Sequence, residues 1–308
     1  MFFSHGEGAN LCYANYMELK MDTLTENVVA YIADRYFSLT NKFIAQILMY
    51  KILALVDFRS VSEIGVPCTS LEYWADKRGP VPHALKKCDG FSLVEKRAAK
   101  INGHDAQVFV CKNKASIDMS YFCKYEKNLI GATIDRAVLE KWDAVTASEI
   151  SHKEIPAWKI AYDRPYPHKM SYSDGFSAST TEAKNVFPKY LKSKPDGRLV
   201  RNIKKLNKIA SLETGWNGDD ANSFSDSFLN RVRAILLSIE NQPEIFPTAA
   251  DSIQMEFDGK KNSYLEIQIR DSDTAEVYEV SRNGEEYSYE IVASEQTVSQ
   301  TVRRFFHG

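Results

Sequence analysis

Between Ser252 and Ala293, apolar and polar residues alternate in four short runs, SIQMEFD, SYLEIQIRD, AEVYEVS and YSYEIVA. A period of two places every second side chain on the same face, so each run can be buried on one side only. Turn residues at Gly259 and at Asn283-Gly284 separate the runs, at a spacing that closes consecutive antiparallel strands. The expected product is a four-stranded antiparallel meander with one polar face. Its apolar face needs a cover. The flanking segments supply helical patterns: two helices around GWNGDDA, and SEQTVSQTVRRFF at the end of the chain.

The first half has the other periodicity. From Leu24 to Phe37, Val28, Val29, Ile32, Ala33, Tyr36 and Phe37 make a helical stripe. Thr40 reads as the cap of a second helix that is apolar almost all round, from Phe43 to Phe58, as expected of a central helix. FSLVEKRAAKINGHDAQVFVCK reads as two strands about a turn at Asn102-Gly103. A long helix is expected from Tyr121 to Trp142, with Phe122, Leu129, Ile130, Ile134, Val138 and Leu139 inward. Thr146-Ala147-Ser148-Glu149 reads as a capping box for a short helix that ends at SHKEIPAW. The fold class is α+β: a mainly helical N-terminal domain with a small hairpin, then helices packed on the meander. The expected division is an extension at 1–23, a helical domain at 24–165, a basic linker at 166–198 and an acidic α+β domain at 199–308. Met21 reads as a natural start.

Charge follows this division. Residues 209–308 hold 18 acidic and 8 basic side chains, a net of −10, and the remainder carries a net of +8. Two parts of opposite sign can face one another. Between Lys184 and Lys208 lie nine Lys or Arg with few acidic residues among them, a stretch able to meet phosphate or to lie on the acidic domain. The five cysteines, Cys12, Cys68, Cys88, Cys111 and Cys123, include no C-x-x-C pair. This points to reduced thiols in a cytoplasm and away from a disulfide framework or a zinc site. No apolar run reaches the roughly 18–20 residues that span a bilayer.

One corner stands out. EYWADKRGPVPHALKKC packs Gly79-Pro80-Val81-Pro82 between two ordered-looking segments. Leu71 to Lys77 reads as a helix that Gly79 ends in a left-handed conformation, and Pro82 suits the first turn of the next.

Catalytic templates are absent: no phosphate-binding glycine loop, no H-E-x-x-H, no G-x-S-x-G. His152 with Glu154, and Cys68 with His83, are the acid–base and nucleophile pairs to be weighed. Neither has a spacing rule behind it. Trp216, with Asp219 and Asp220, reads as a core plug in a tight turn held by Gly215 and Gly218, with Ser223 or Ser225 capping the next helix. Tyr264, Tyr278, Tyr287 and Tyr289 form a possible stacking platform, but a net of −10 opposes nucleic acid there. No catalytic residue, cofactor or metal is expected.

Taken in order, LTNKFIAQILMYKILALVDF, TSLEYWADKRGPVPHAL and VLEKWDAVTASEISHKEIPAW resemble the Panacea domain, also called the SocA-like antitoxin domain, over roughly residues 24–165. The resemblance rests on Asp57-Phe58 at the end of a helix, Trp74 before the corner, Gly79 to Pro82, and Ser151-His152 with Trp158. It implies a non-enzymatic antitoxin of a bacterial or phage toxin–antitoxin or defence system. Its partner would be a cognate toxin encoded beside it and neutralised by direct binding. The signature positions would then be mainly structural, Trp158 among them as a buried ring. Gly215-Trp216-Asn217-Gly218, Pro247-Thr248 and Ile253 to Phe257 resemble a bacterial domain of unknown activity. Two other readings stay open: a toxic or enzymatic C-terminal domain restrained by the first, and a DNA-binding regulator using residues 184–208.

Overall fold

The computed structural model describes residues 22–88, 90–193 and 197–308. Most of the expected 1–23 extension, and Cys12, lie outside them. Helix α1 (Thr23–Thr40) starts where the Asp22 carboxylate accepts from Thr25 N–H, and stops at Asn41 in the left-handed region, φ 53°. Thr40 therefore closes α1, its hydroxyl donating to Tyr36 O, and does not cap the next helix. The two-residue strand β1 (Ile44–Ala45) intervenes before helix α2 (Gln46–Ile64). Leu48 to Val56 are all buried, as a central helix requires.

The expected helix at Leu71 to Lys77 is instead an extended segment. Strand β2 (Tyr73–Asp76) pairs antiparallel with β3 (Gly79–Pro82), with Tyr73 opposite Pro82 and Asp76 opposite Gly79. The signal was a period of two: Leu71, Tyr73 and Ala75 are buried, and Glu72 and Asp76 are exposed. Prolines are tolerated in β3 because alternate residues of an antiparallel strand direct their N–H away from the partner. The residues opposite Pro80 and Pro82 confirm this parity. Ala75 N–H donates outward to His168 O, and Tyr73 O accepts from Met170 N–H. Residues 168–170 thus add a third strand to the hairpin, through a bridge between Trp74 and Lys169.

Helix α3 (His83–Lys87) follows, then strands β4 (Val94–Ile101) and β5 (His104–Cys111) around Asn102-Gly103, with β1 on the outer side of β5. Helix α4 (Lys124–Leu139) is shorter than expected, and Leu139 is 82% exposed, not inward. Helix α5 (Ala144–Glu154) begins at Asp143, whose carboxylate accepts from Val145 and Thr146 N–H and displaces the expected Thr146 box. Helix α6 (Pro156–Tyr162) turns off it directly.

The expected linker is packed chain. Met170 and Tyr172 are buried, and helix α7 (Thr181–Lys192) buries Ala183, Phe187 and Tyr190. Helix α8 (Arg198–Ile209) joins the two parts. Its Lys204 forms an ion pair with Glu126 of α4, both side chains almost wholly buried, and Lys208 meets Asp118 at 2.9 Å. Helix α9 (Asp226–Ser238) is capped by Ser225.

The meander has five strands, not four: β6 (Glu244–Thr248), β7 (Ser252–Asp258), β8 (Tyr264–Arg270), β9 (Thr274–Val280) and β10 (Glu286–Val292), in the order 10-9-8-7-6. Pro247 hides β6 in the sequence, and an edge strand is where a proline is allowed. Ile253, Met255, Phe257, Leu265, Ile267 and Ile269 face the core, joined there by Phe228, Val232 and Ile235 of α9 and by Val298, Val302 and Phe305 of α10 (Glu295–His307).

Candidate functional site

The positions named by the first resemblance, from Asp57 to Trp158, are spread along the chain and meet at one hairpin. Gly79 is the point of closest approach. Its φ is +98°, and a Cβ there would stand 2.6 Å from Ser151 Oγ and 3.0 Å from Lys51 Nζ. Helices α2 and α5 therefore both close on the hairpin at a residue without a side chain. Ser151 is fully buried, its hydroxyl donating to Ser148 O.

Lys51 was missed by sequence reasoning. It sits in the most apolar part of α2, is 1% exposed, and donates to Pro80 O at 2.9 Å. Burial lowers its pKa to about 8, opposed by the Asp76 carboxylate. The signal was a lone cation within LMYKILALV, since a buried ammonium needs an acceptor. Pro80 supplies one because a strand carbonyl beside β3 has no strand partner on that side.

Trp158 donates from Nε1 to Asp76 O at 2.8 Å, fastening α6 to the hairpin turn. Its ring is half-buried rather than buried, and His152 stacks on it at 3.4 Å between centroids and 10° between planes. His152 lies in the last turn of α5, not after it. Its Nε2 is buried with no hydrogen-bond partner. Burial first, and then the Lys51 ammonium, hold its pKa below the usual imidazole value. On the other side of the hairpin, Trp74 packs on His83 at 4.4 Å.

Asp57 and Phe58 brace β2 from behind. The fully buried Asp57 carboxylate accepts from Thr69 N–H, Thr69 Oγ1 and Tyr73 Oη at 2.8, 2.5 and 2.7 Å. Burial pushes its carboxyl up to about 6, and the Thr69 and Tyr73 donors pull it back. Phe58 packs between Tyr73 and Tyr172.

The two pairs weighed for catalysis do not assemble. Residues 152 and 154 point apart because they are two positions apart on a helix, and Glu154 is held by Arg136. Cys68 is wholly buried, its thiol pushed up to about 12 by burial, while His83 is occupied with Trp74. Gly215, Trp216 and Gly218 belong to a separate loop between α8 and α9. Both glycines have positive φ, and Trp216 is half-buried, donating to Asn222 O. The basic stretch 184–208 is partly consumed inside the protein, since Lys204 and Lys208 are bound to Glu126 and Asp118. Among the described residues, no helix is long and apolar enough to cross a membrane.

Trp158→Ala is expected to lower the unfolding free energy by about 2–3 kcal/mol. Unfolded His152 takes up a proton near pH 6.5, and folded His152 only at lower pH. The stability contributed by the neutral stacked ring is therefore complete above pH 6.5 and declines as pH falls. In urea unfolding, the wild-type minus variant difference should be larger at pH 8 than at pH 5. Equal differences would remove the stack as the cause.

Residues 49–159, which contain the contacts of Lys51, Asp57, Gly79, Ser151, His152 and Trp158 at the hairpin, match the family described as the antitoxin SocA-like, Panacea domain. No curated protein and no solved structure matches the chain.

Proposed function

We propose that this chain is an antitoxin-like protein of a bacterial or phage toxin–antitoxin pair, acting in the cytoplasm and neutralising a toxin encoded beside it by direct, stoichiometric binding. The match over residues 49–159 carries the reading. The geometry fits a scaffold and not a turnover site. Polar side chains around the hairpin are spent within the protein: Lys51 on the Pro80 carbonyl, Trp158 on the Asp76 carbonyl, Asp57 on Thr69 and Tyr73. What they hold fixed is a rigid hairpin wall, the kind of preorganised surface that binds without paying to order itself.

Co-expression tests it. The neighbouring gene is expressed alone and with this chain, and growth and co-purification are scored. A neighbour that arrests growth, and is rescued as a stable complex, bears the reading out. A harmless neighbour that does not co-purify ends it.

A further inference from the structure

A column of rings crosses the surface beside the hairpin. His152 stacks on Trp158, Trp158 on Tyr162 at 5.2 Å and 22°, and Tyr162 on His168 at 5.6 Å and 25°. Tyr166 then meets His168 edge-on at 6.1 Å. Its far end is open: Trp158 and His168 are half-buried, Tyr162 is 37% exposed and Tyr166 86%. A tyrosine that exposed is ordinarily of no account, but this one stands on pinned chain. Arg164 makes a two-pronged pair with Asp174, His168 Nδ1 bonds to Ala161 O, and Met170 N–H donates to Tyr73 O. Large rings held still before binding lose little entropy on contact, which is what makes Tyr and Trp the usual anchors of protein interfaces.

The charge around the column is cationic. Lys77 and Arg78 form the hairpin turn next to Asp76, whose carbonyl receives Trp158. Both are exposed, and neither has an ion-pair partner among the described residues. The nearby carboxylates of Glu72, Asp163 and Asp174 are each already tied to a cation, Lys169, Lys159 and Arg164, while the exposed Asp76 carboxylate of the turn accepts from Arg78 N–H and sets one negative charge against the two cations. The turn keeps a net positive charge, which a negatively charged partner surface complements.

Resting on the antitoxin reading, we propose that the column ending in Tyr166, with the Lys77-Arg78 turn, is the surface on which the toxin docks, through an acidic patch of its folded surface. A nucleic acid fits less well. Bases need free ring faces, and here Trp158 and Tyr162 each already have stacked ring neighbours. The column also straddles the edge of the family match: His152 and Trp158 lie within residues 49–159, while Tyr162, His168 and Tyr166 lie beyond it. The shared scaffold supplies the base of the surface, and this chain's own continuation supplies its exposed end. Partner choice is accordingly placed here, not in the acidic C-terminal sheet.

The test uses the full chain and the purified product of the neighbouring gene. Their affinity is measured for wild type, Tyr166→Ala, Lys77→Glu/Arg78→Glu and, as a control on edge strand β10, Tyr287→Ala. Tyr166→Ala should weaken the complex about 10- to 100-fold with an unchanged melting midpoint. The double charge reversal should mainly slow association and flatten its salt dependence. The β10 control should bind as wild type. If Tyr166→Ala and the charge reversal bind like wild type, the docking surface is wrong while the antitoxin reading survives. If wild type itself does not bind the neighbour, both fall. Salt-sensitive binding of a labelled single-stranded DNA 20-mer that Tyr166→Ala abolishes would also overturn the proposal, in favour of nucleic acid.

Discussion

Lys204→Ala is expected to cost about 3–5 kcal/mol of unfolding free energy, the usual penalty for leaving one partner of a buried ion pair alone. Lys204 and Glu126 are 1% and 2% exposed, and they join α8 to α4. Glu126 cannot simply turn to water, because its other oxygen accepts from Cys123 N–H at the start of α4. Burial is the main influence on the Lys204 ammonium and lowers its pKa. At roughly 2–4 °C per kcal/mol for a chain of this size, the midpoint should drop by about 10 °C. The apolar pair Glu126→Leu/Lys204→Met should recover most of the loss, because the penalty lies in the unpaired charge and not in missing attraction. Urea unfolding of the two variants beside wild type decides it. A single variant within about 1 kcal/mol of wild type would mean that water reaches the pair.

Gly79→Ala should be comparably severe, about 3–4 kcal/mol, because two costs coincide. An L-residue at φ +98° is strained by about 1–3 kcal/mol, and the new Cβ would lie 2.6 Å from Ser151 Oγ and 3.0 Å from Lys51 Nζ. The contributions separate in a second variant. Ser151→Ala in the Gly79→Ala background removes the nearest atom and should return about 1 kcal/mol. No recovery would assign the whole effect to the backbone. Gly103 is a built-in control: its φ is +82°, yet nothing lies within 4 Å of the position of a Cβ. Its alanine variant should show the backbone cost alone, read from the same denaturation curves.

Much of the architecture was legible because the physics behind it is local. A period of two in SIQMEFD and SYLEIQIRD and a period of 3.6 in α1 follow from which side chains share a face, and β7, β8 and α1 form as they indicate. The Asn102-Gly103 turn was legible because only certain residues accept positive φ. Where the reading failed, local signals competed. Leu71 to Lys77 contains both a plausible helical stripe and a period of two. The choice was made by partners elsewhere: residues 168–170 on one edge and Lys51 at Pro80 O on the other. Residues 166–198 read as a linker because Pro, Ser and Lys are common there, whereas Met170, Tyr172, Phe187 and Tyr190 are scattered among them with little period and find burial only in the assembled fold.

The order of motifs around Gly79 to Pro82, Ser151-His152 and Trp158, the family of residues 49–159 and the opposite charges of the two parts were determined by sequence alone, since each depends on residue identity and order. Tertiary structure decided that these motifs meet, that Lys51 is buried with a carbonyl acceptor and Lys204 beside a carboxylate, and that five rings from α5, α6 and the following loop align into one column. The reason is that burial and stacking are properties of pairs distant along the chain, and no periodicity within a segment records which distant segment will pack against it.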